Sequence, residues 1–262
     1  MNEKYLLVMD FDQTLSIEDS GLLLSQKIGI SEKDFWHKVE QLRQKNIVKI
    51  GAELPYLIVH DSDYKGKVSR ELQQEVGRQV KLKEHVSDFI NLLNKGVEGR
   101  LFSPYVVSAA PQEILKEALK EILPLEHLYG TTFIYSKEEK IVDVQKAGAG
   151  TAKVDALNII RNRERVSPEK IIYVGDGLSD MHIMLHLKAY NGYSIAVSPS
   201  PYLGHIARRT VISTDVMSIL IPILEEIIGF SEQKIKSFFA DIGYPLSEWN
   251  RAKVEWVDLA KS

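Results

Sequence analysis

Tyr5-Leu-Leu-Val-Met-Asp10-Phe-Asp12-Gln-Thr14 is the stretch on which the architecture turns. The apolar run from Tyr5 to Met9 reads as a buried strand, and it ends on two acids spaced i, i+2. Side chains two apart on an extended segment leave the same face, so both carboxylates aim at one volume past the strand end. Like charges so close raise one another's pKa unless a cation or a proton intervenes. A magnesium ion with a phosphate ester would satisfy the pair. So would acid/base chemistry in which one acid is ionised and the other holds a proton. The plain alternative is a solvated turn, Asp being common in turns. A calcium loop is excluded, because its sixth position would be Leu15 rather than Gly and its twelfth Gly21 rather than Glu.

Further strand ends repeat the pattern. Lys170-Ile-Ile-Tyr-Val-Gly175 is a second apolar run, and it leads into Asp176-Gly-Leu-Ser-Asp180. Parallel α/β sheets gather the carboxyl ends of their strands along one edge, where ligands bind. Asp10, Asp12, Asp176 and Asp180 would then converge on one crevice and need a hard cation such as magnesium. Tyr105-Val-Val-Ser108 ends on a hydroxyl, followed by Ala109-Ala110 and by Pro111 at the expected first helical position. Helix starts carry free N–H groups and suit a phosphate. Ala147-Gly-Ala-Gly-Thr-Ala-Lys153 opens an apolar-periodic stretch through Val154, Leu157 and Ile160. A lysine there opposes the helix dipole, which makes sense if it faces anions.

Taken in order, Asp10-x-Asp12-x-Thr14, Ser108, Lys153 and Gly175-Asp176-x-x-x-Asp180 resemble the motifs of the haloacid dehalogenase superfamily of phosphohydrolases. The resemblance runs from about Lys4 to Thr214, outside an insert. It implies an α/β fold: a three-layer Rossmann-like parallel-sheet core carrying a small helical cap domain. It further implies that Asp10 is the nucleophile that forms an aspartyl-phosphate, and that Asp12 is the acid and base. Mg2+ would be held by Asp10, the Asp12 backbone carbonyl, Asp176 and Asp180. Lys153 would neutralise the phosphoryl oxygens, and Ser108 with Ala109 and Thr14 would face the substrate. An acid at the position of Asp12 argues against dehalogenation of alkyl halides.

From Leu15 to Lys83 the chain shows helical patterns and no convincing strand: Glu18–Ile28, Glu32–Val48 behind Ser31 as N-cap, and Val68–Val80. A structureless loop of that length is implausible, so residues 15–83 are expected to form the cap, with 1–14 and 84–214 forming the core. In the family this position is the C1 cap, a lid over the phosphate site. Thr131–Val144 reads as a β-hairpin. The overall likeness is to phosphoserine-phosphatase-like enzymes, with departures. Ser108-Ala-Ala stands where that group has Ser-Gly-Gly, Ser179 replaces an Asn, Asp19 replaces a Glu, and no arginine matches its carboxylate-binding one. Candidate substrate contacts in the cap are Asp19, Trp36, Tyr56, His60 and Tyr64. Residues 215–262 read as a helical extension, either packed on the core or serving a homo-oligomer contact. His182 and His186 lack a third metal ligand, and Arg161, Arg163 and Arg165 read as a solvated face.

Composition narrows the partners. The chain has 262 residues, a formal net charge of -3 and no cysteine. That balance does not suggest nucleic acid or an anionic membrane, and disulfide or thiol chemistry is excluded. No apolar stretch approaches a membrane span, and the N-terminus does not read as a signal peptide. The expected protein is cytoplasmic and acts on a small phosphorylated metabolite as a phosphomonoester phosphatase. A phosphotransferase or phosphomutase of the same superfamily is the nearer alternative. A signalling module phosphorylated on Asp is the more distant one.

Overall fold

The computed structural model describes residues 3–246. Strand β1 (Glu3–Met9) is central in a seven-stranded sheet of order β4-β3-β2-β1-β5-β6-β7. It pairs in parallel with β2 (Arg100–Pro111) and β5 (Ile171–Gly175), and its alternation explains why it sits there. Leu7 and Met9 enter the hydrophobic cluster on one face of the sheet, while Leu6 and Val8 enter the cluster on the other. A strand buried on both faces reads as a continuous apolar run. β3 (Leu128–Tyr135), β6 (Tyr193–Ala196) and β7 (Arg209–Thr210) extend the parallel sheet. β4 (Ile141–Lys146) is antiparallel to β3, so the expected hairpin makes the sheet mixed at that edge.

Helices α7 (Thr151–Glu164), α8 (Met181–Ala189) and α9 (Pro201–Ile206) bury Leu157, Ile160, Ile183, Met184 and Leu203 on the Leu6/Val8 face. The opposite face is covered by α5 (Val86–Lys95) and α6 (Gln112–Leu119). Between β1 and β2 lie α1 (Ser20–Lys27), α2 (Glu32–Gln44), α3 (Glu53–His60) and α4 (Arg70–Gln79). Asp19, Ser31 and Ser69 cap α1, α2 and α4 by accepting backbone N–H bonds from Leu22, Asp34 and Leu72. α3 was not among the expected helices, and it opens without a side-chain cap.

This helical module is fastened to the core at its linkers and along its far side. Its two linkers run antiparallel, with Ile17 N donating to Lys81 O and Lys83 N to Leu15 O. On the far side Arg70 pairs with Glu139 at 2.6 Å and lies 4.1 Å over the Tyr135 ring. α4 comes close to α6 at Gly77, where a Cβ would sit 2.7 Å from the Ile114 carbonyl oxygen.

Beyond β7 the chain forms a 3-10 turn (Val216–Ile219), the short α10 (Leu220–Pro222), a π-helical stretch (Ile223–Ile228) and α11 (Glu232–Asp241). The Val216–Ile219 turn contacts α5, and Ile235 and Phe239 join the hydrophobic cluster of the α5/α6 face. Lys234 pairs with Glu98, and the Tyr244 hydroxyl donates to Asp88. The described part of the extension therefore packs on the core, while residues 247–262 lie outside the described residues. Arg163 departs from the expected solvated face, for it donates to the Tyr105 hydroxyl at 2.7 Å and lies over that ring. Because Phe239 is 1 % exposed, Phe239→Ala is expected to cost about 3–5 kcal/mol in urea denaturation. A loss within the roughly 0.5 kcal/mol of surface changes would mean that the extension is not part of the core.

Candidate active site

Three strand ends and the start of one helix deliver the site. β1 ends at Met9, and Asp10 N still donates to Val174 O at 2.8 Å, so Asp10 leaves the sheet edge beside β5. Its Oδ1 accepts from Phe11 N at 2.7 Å, and its Oδ2 accepts from Lys153 Nζ at 2.7 Å. Lys153 reaches this point from the first turn of α7 and is fully buried. The same ammonium donates to Asp180 Oδ1 at 2.6 Å. The Tyr173 hydroxyl donates to that oxygen too, at 2.6 Å, and Gly177 N donates to Asp180 Oδ2 at 3.1 Å. Gly175 is required here: a Cβ on it would collide with the Asp180 carboxylate.

Asp12 takes a different course. Gln13 adopts a left-handed conformation (φ 56), turning the chain directly after it. The Asp12 carboxylate is bound at the start of α1, accepting from Ser20 N at 2.8 Å and Ser20 Oγ at 3.1 Å. Ser108, at the end of β2, is buried, and its Oγ accepts from Ala110 N at 3.2 Å. Its side chain also hydrogen-bonds the Asp10 carboxylate and helps to lower the pKa of that group.

Electrostatics divide the acids. Burial pushes the Asp10 carboxyl up and Asp180 adds to this, while Lys153 opposes, leaving it at about 6. Burial and the charge of Asp19 raise Asp12 well above the usual carboxylate range despite the Ser20 bonds. Asp176 is pushed up to about 8 by burial and by the charges of Asp10 and Asp180. Lys153 is held firmly charged: burial disfavours its ammonium, but Asp10 and Asp180 overcome that. Carboxylate oxygens of Asp10, Asp176 and Asp180 lie within 4.8 Å of one another. One ammonium cannot neutralise three such carboxylates, so the donor set fits a hard divalent cation.

A cavity of about 310 Å³ opens above these groups, its cap-side wall including Asp19, Trp36, Val39, Arg43 and Leu54. Arg43 was not anticipated. Its Nε pairs with the buried Glu53 at 2.6 Å, and Gly51 N donates to the other Glu53 oxygen at 2.6 Å. A signal for it existed, since Trp36, Val39 and Arg43 are spaced i, i+3, i+7 on one face of α2. The cap lies close over the mouth: a Cβ on Gly51 would stand 3.0 Å from Ala149 Cβ and 3.1 Å from Ser179 Cβ.

Among the expected substrate contacts, Asp19, Trp36 and Ala109 line this cavity. Thr14 does not; it is fully buried beneath the loop. Tyr56 and His60 do not line it either, because α3 turns them to a separate surface hollow, their rings 4.5 Å apart. Tyr64 is buried inside the cap, its hydroxyl 2.7 Å from Ser25 Oγ. His182 is exposed and His186 packs on Tyr190.

The raised carboxyls give a signed expectation for the metal-free protein. A carboxyl whose folded pKa lies above its unfolded value keeps a proton that the unfolded chain has shed. Its contribution to stability is complete below about pH 4 and is lost as pH rises through about 8 for Asp176. Thermal melts of chelated protein should therefore fall across that window more steeply in wild type than in Asp176→Asn. Equal slopes would contradict the electrostatic account.

The haloacid dehalogenase-like hydrolase model matches residues 7–185, from β1 into α8. No curated protein sequence matches the chain. Among solved structures, a substrate-bound phosphoserine phosphatase complex superposes with TM-score 0.66 at 20 % identity, covering 84 % of this chain and 98 % of that one. A phospho-aspartyl intermediate analogue of phosphoserine phosphatase gives TM-score 0.66 at 21 % identity, covering 83 % and 98 %. A HAD family hydrolase from Salmonella enterica subsp. enterica serovar Typhi gives 0.68 at 16 %, covering 84 % and 71 %. At these identities the structural likeness concerns the fold, whereas the family model spans most of the core and every motif of the site. The chain belongs to the haloacid dehalogenase-like hydrolase family.

Proposed function

We propose that the chain is a magnesium-dependent phosphomonoester phosphatase that works through an aspartyl-phosphate on Asp10. The observation that carries the reading is the division between the two acids of the first motif. Asp10 is paired with Lys153, whose ammonium opposes the upward push of burial and favours the carboxylate, while burial and the charge of Asp19 raise Asp12 well above the usual range and favour its protonated form. One is a nucleophile and the other an acid.

In the first step an Asp10 carboxylate oxygen attacks phosphorus and the ester P–O bond breaks. Asp12 gives its proton to the departing alkoxide. In the second, the Asp12 carboxylate takes a proton from water as that water attacks phosphorus. The acyl-phosphate bond breaks and Asp10 is restored. Lys153, with the Ser108 hydroxyl and the N–H groups beside it, stabilises the charge on the phosphoryl oxygens. Mg2+, held by Asp10, Asp176, Asp180 and the Asp12 backbone carbonyl, would supply the remaining neutralisation of phosphate and carboxylate charge.

The substrate is a small phosphorylated metabolite, in keeping with the size of the cavity and the nearness of the cap. Beyond the phosphate end, Asp19 and Arg43 present opposite charges beside Trp36. Arg43 has its Nε fixed by Glu53, which leaves its terminal nitrogens available to an anionic group on the leaving alcohol. Asp19, pushed up by burial but lowered by backbone bonds and by Arg43, suits an amine. A cytoplasmic setting is consistent with a chain free of cysteine, and no described helix is long and apolar enough to cross a membrane.

Phosphate release should be measured over phosphoserine, phosphoglycerate, phosphoethanolamine and phosphocholine, with Mg2+ and with chelator. Turnover is expected only with the metal and is abolished by Asp10→Asn. Transfer of the phosphoryl group to an added alcohol in preference to water would replace the phosphatase by a phosphotransferase, and a stable phosphoprotein without turnover would favour signalling. In rapid-quench measurements of the first step, Asp12→Asn should slow phosphorylation of Asp10 by alkyl phosphates about 10²–10⁴-fold while sparing that step with p-nitrophenyl phosphate, whose leaving group needs no proton. Equal losses on both would remove Asp12 as the acid. Arg43→Lys keeps a charge for Glu53 but loses the planar fork, so KM should rise by about ten-fold for anion-bearing esters alone. An equal rise for phosphoethanolamine would contradict that assignment.

A further inference from the structure

Tyr173 belongs to a strand that reads as plain core, yet its hydroxyl sits among the charges of the site. Alternation along β5 sends Ile172 and Val174 to one face of the sheet and Ile171 and Tyr173 to the other, under α7 and α8. The residue is fully buried. Its hydroxyl donates to Asp180 Oδ1 at 2.6 Å and lies 3.4 Å from Lys153 Nζ. We infer that Tyr173 is a positioning residue of the catalytic centre, fixing the Asp180 carboxylate so that Oδ2 would remain available to a cation and Lys153 keeps its hold on Asp10.

Acceptor capacity decides which Asp180 oxygen stays available. A carboxylate oxygen has two lone pairs. Both on Asp180 Oδ1 are used, one by Tyr173 and one by Lys153. Among the described residues Oδ2 accepts only from Gly177 N and so has one pair to spare, on a carboxylate grouped with Asp10 and Asp176. The hydroxyl thereby sets which oxygen is available to a cation. It also prevents the carboxylate from rotating to offer both oxygens to Lys153, which would draw the ammonium from Asp10. Packing alone would be served by phenylalanine, without burying a hydroxyl that must find a partner. Groups that orient metal ligands from behind act on affinity and rate together.

This inference rests on the phosphatase reading, and the test separates the two. Wild type and Tyr173→Phe are compared for Mg2+ affinity by calorimetry, for kcat and KM, and for melting temperature. Loss of the hydroxyl should weaken Mg2+ binding and lower kcat, each by about ten-fold, with KM at saturating metal unchanged. In an Asp180→Asn background the same change should not weaken Mg2+ binding further, because Tyr173 acts through Asp180. A lowered melting temperature with Mg2+ affinity and kcat as in wild type would overturn the proposal. If wild type releases no phosphate, the phosphatase reading fails, and the Mg2+ affinities alone still decide the role of Tyr173. Should Tyr173→Phe not fold, wild type carrying a ¹³C-labelled tyrosine at 173 serves instead. Its ring resonance should shift on adding Mg2+, and an unmoved resonance would overturn the proposal.

Discussion

A lysine ammonium sealed from water and shared between Asp10 and Asp180 is the constraint on which the rest of the site depends. Removing either partner would strand a buried charge, an arrangement that costs several kcal/mol in proteins. The fold meets it by bringing three separate segments to one point: the end of β1, the first turn of α7 and the loop after β5. Lys153 accepts a poor place on its own helix, against the dipole, in exchange for two carboxylates at hydrogen-bond distance. The sheet order follows the same need, with β1 and β5 adjacent and parallel so that Asp10 and Asp176 emerge side by side.

The ion pair also separates the two acids electrostatically. Asp10 is within reach of the ammonium and stays near 6, while Asp12, turned away toward Ser20, has no cation to lower it. The residue between them, Phe11, is fully buried and pins the turn. The different environments of these neighbouring carboxylates thus arise from backbone direction, set within two residues of the strand end. The cap completes the environment. Gly51 approaches the core loops, and the same loop donates to Glu53, which holds Arg43 in the cavity. Closing the site against water strengthens every charge inside it.

Much of this was legible in the sequence, for definite physical reasons. Strand-end acids, a strand-end hydroxyl and a misplaced helix-start lysine each violate local preference, and such violations collect at functional sites. The helical insert was legible because α1, α2 and α4 carry side-chain N-caps at Asp19, Ser31 and Ser69. α3 lacks one, and so Tyr56 and His60 were assigned toward a cavity that they do not line. Arg43 went unnoticed because its meaning depends on Glu53 across a loop, a pairing that only the tertiary structure makes. Tyr173 was hidden for the opposite reason: within an apolar run, an aromatic with a hydroxyl looks like any other core residue.

The central claim is that phosphorus passes through a covalent bond to Asp10. Protein caught in acid during turnover with Mg2+ and a substrate, then digested and weighed by mass spectrometry, addresses it most directly. The account predicts one phosphoryl group on the peptide containing Asp10, appearing with substrate and disappearing once substrate is exhausted. Metal-dependent phosphate release with that peptide unmodified throughout, or with the phosphoryl group on another residue, would contradict it.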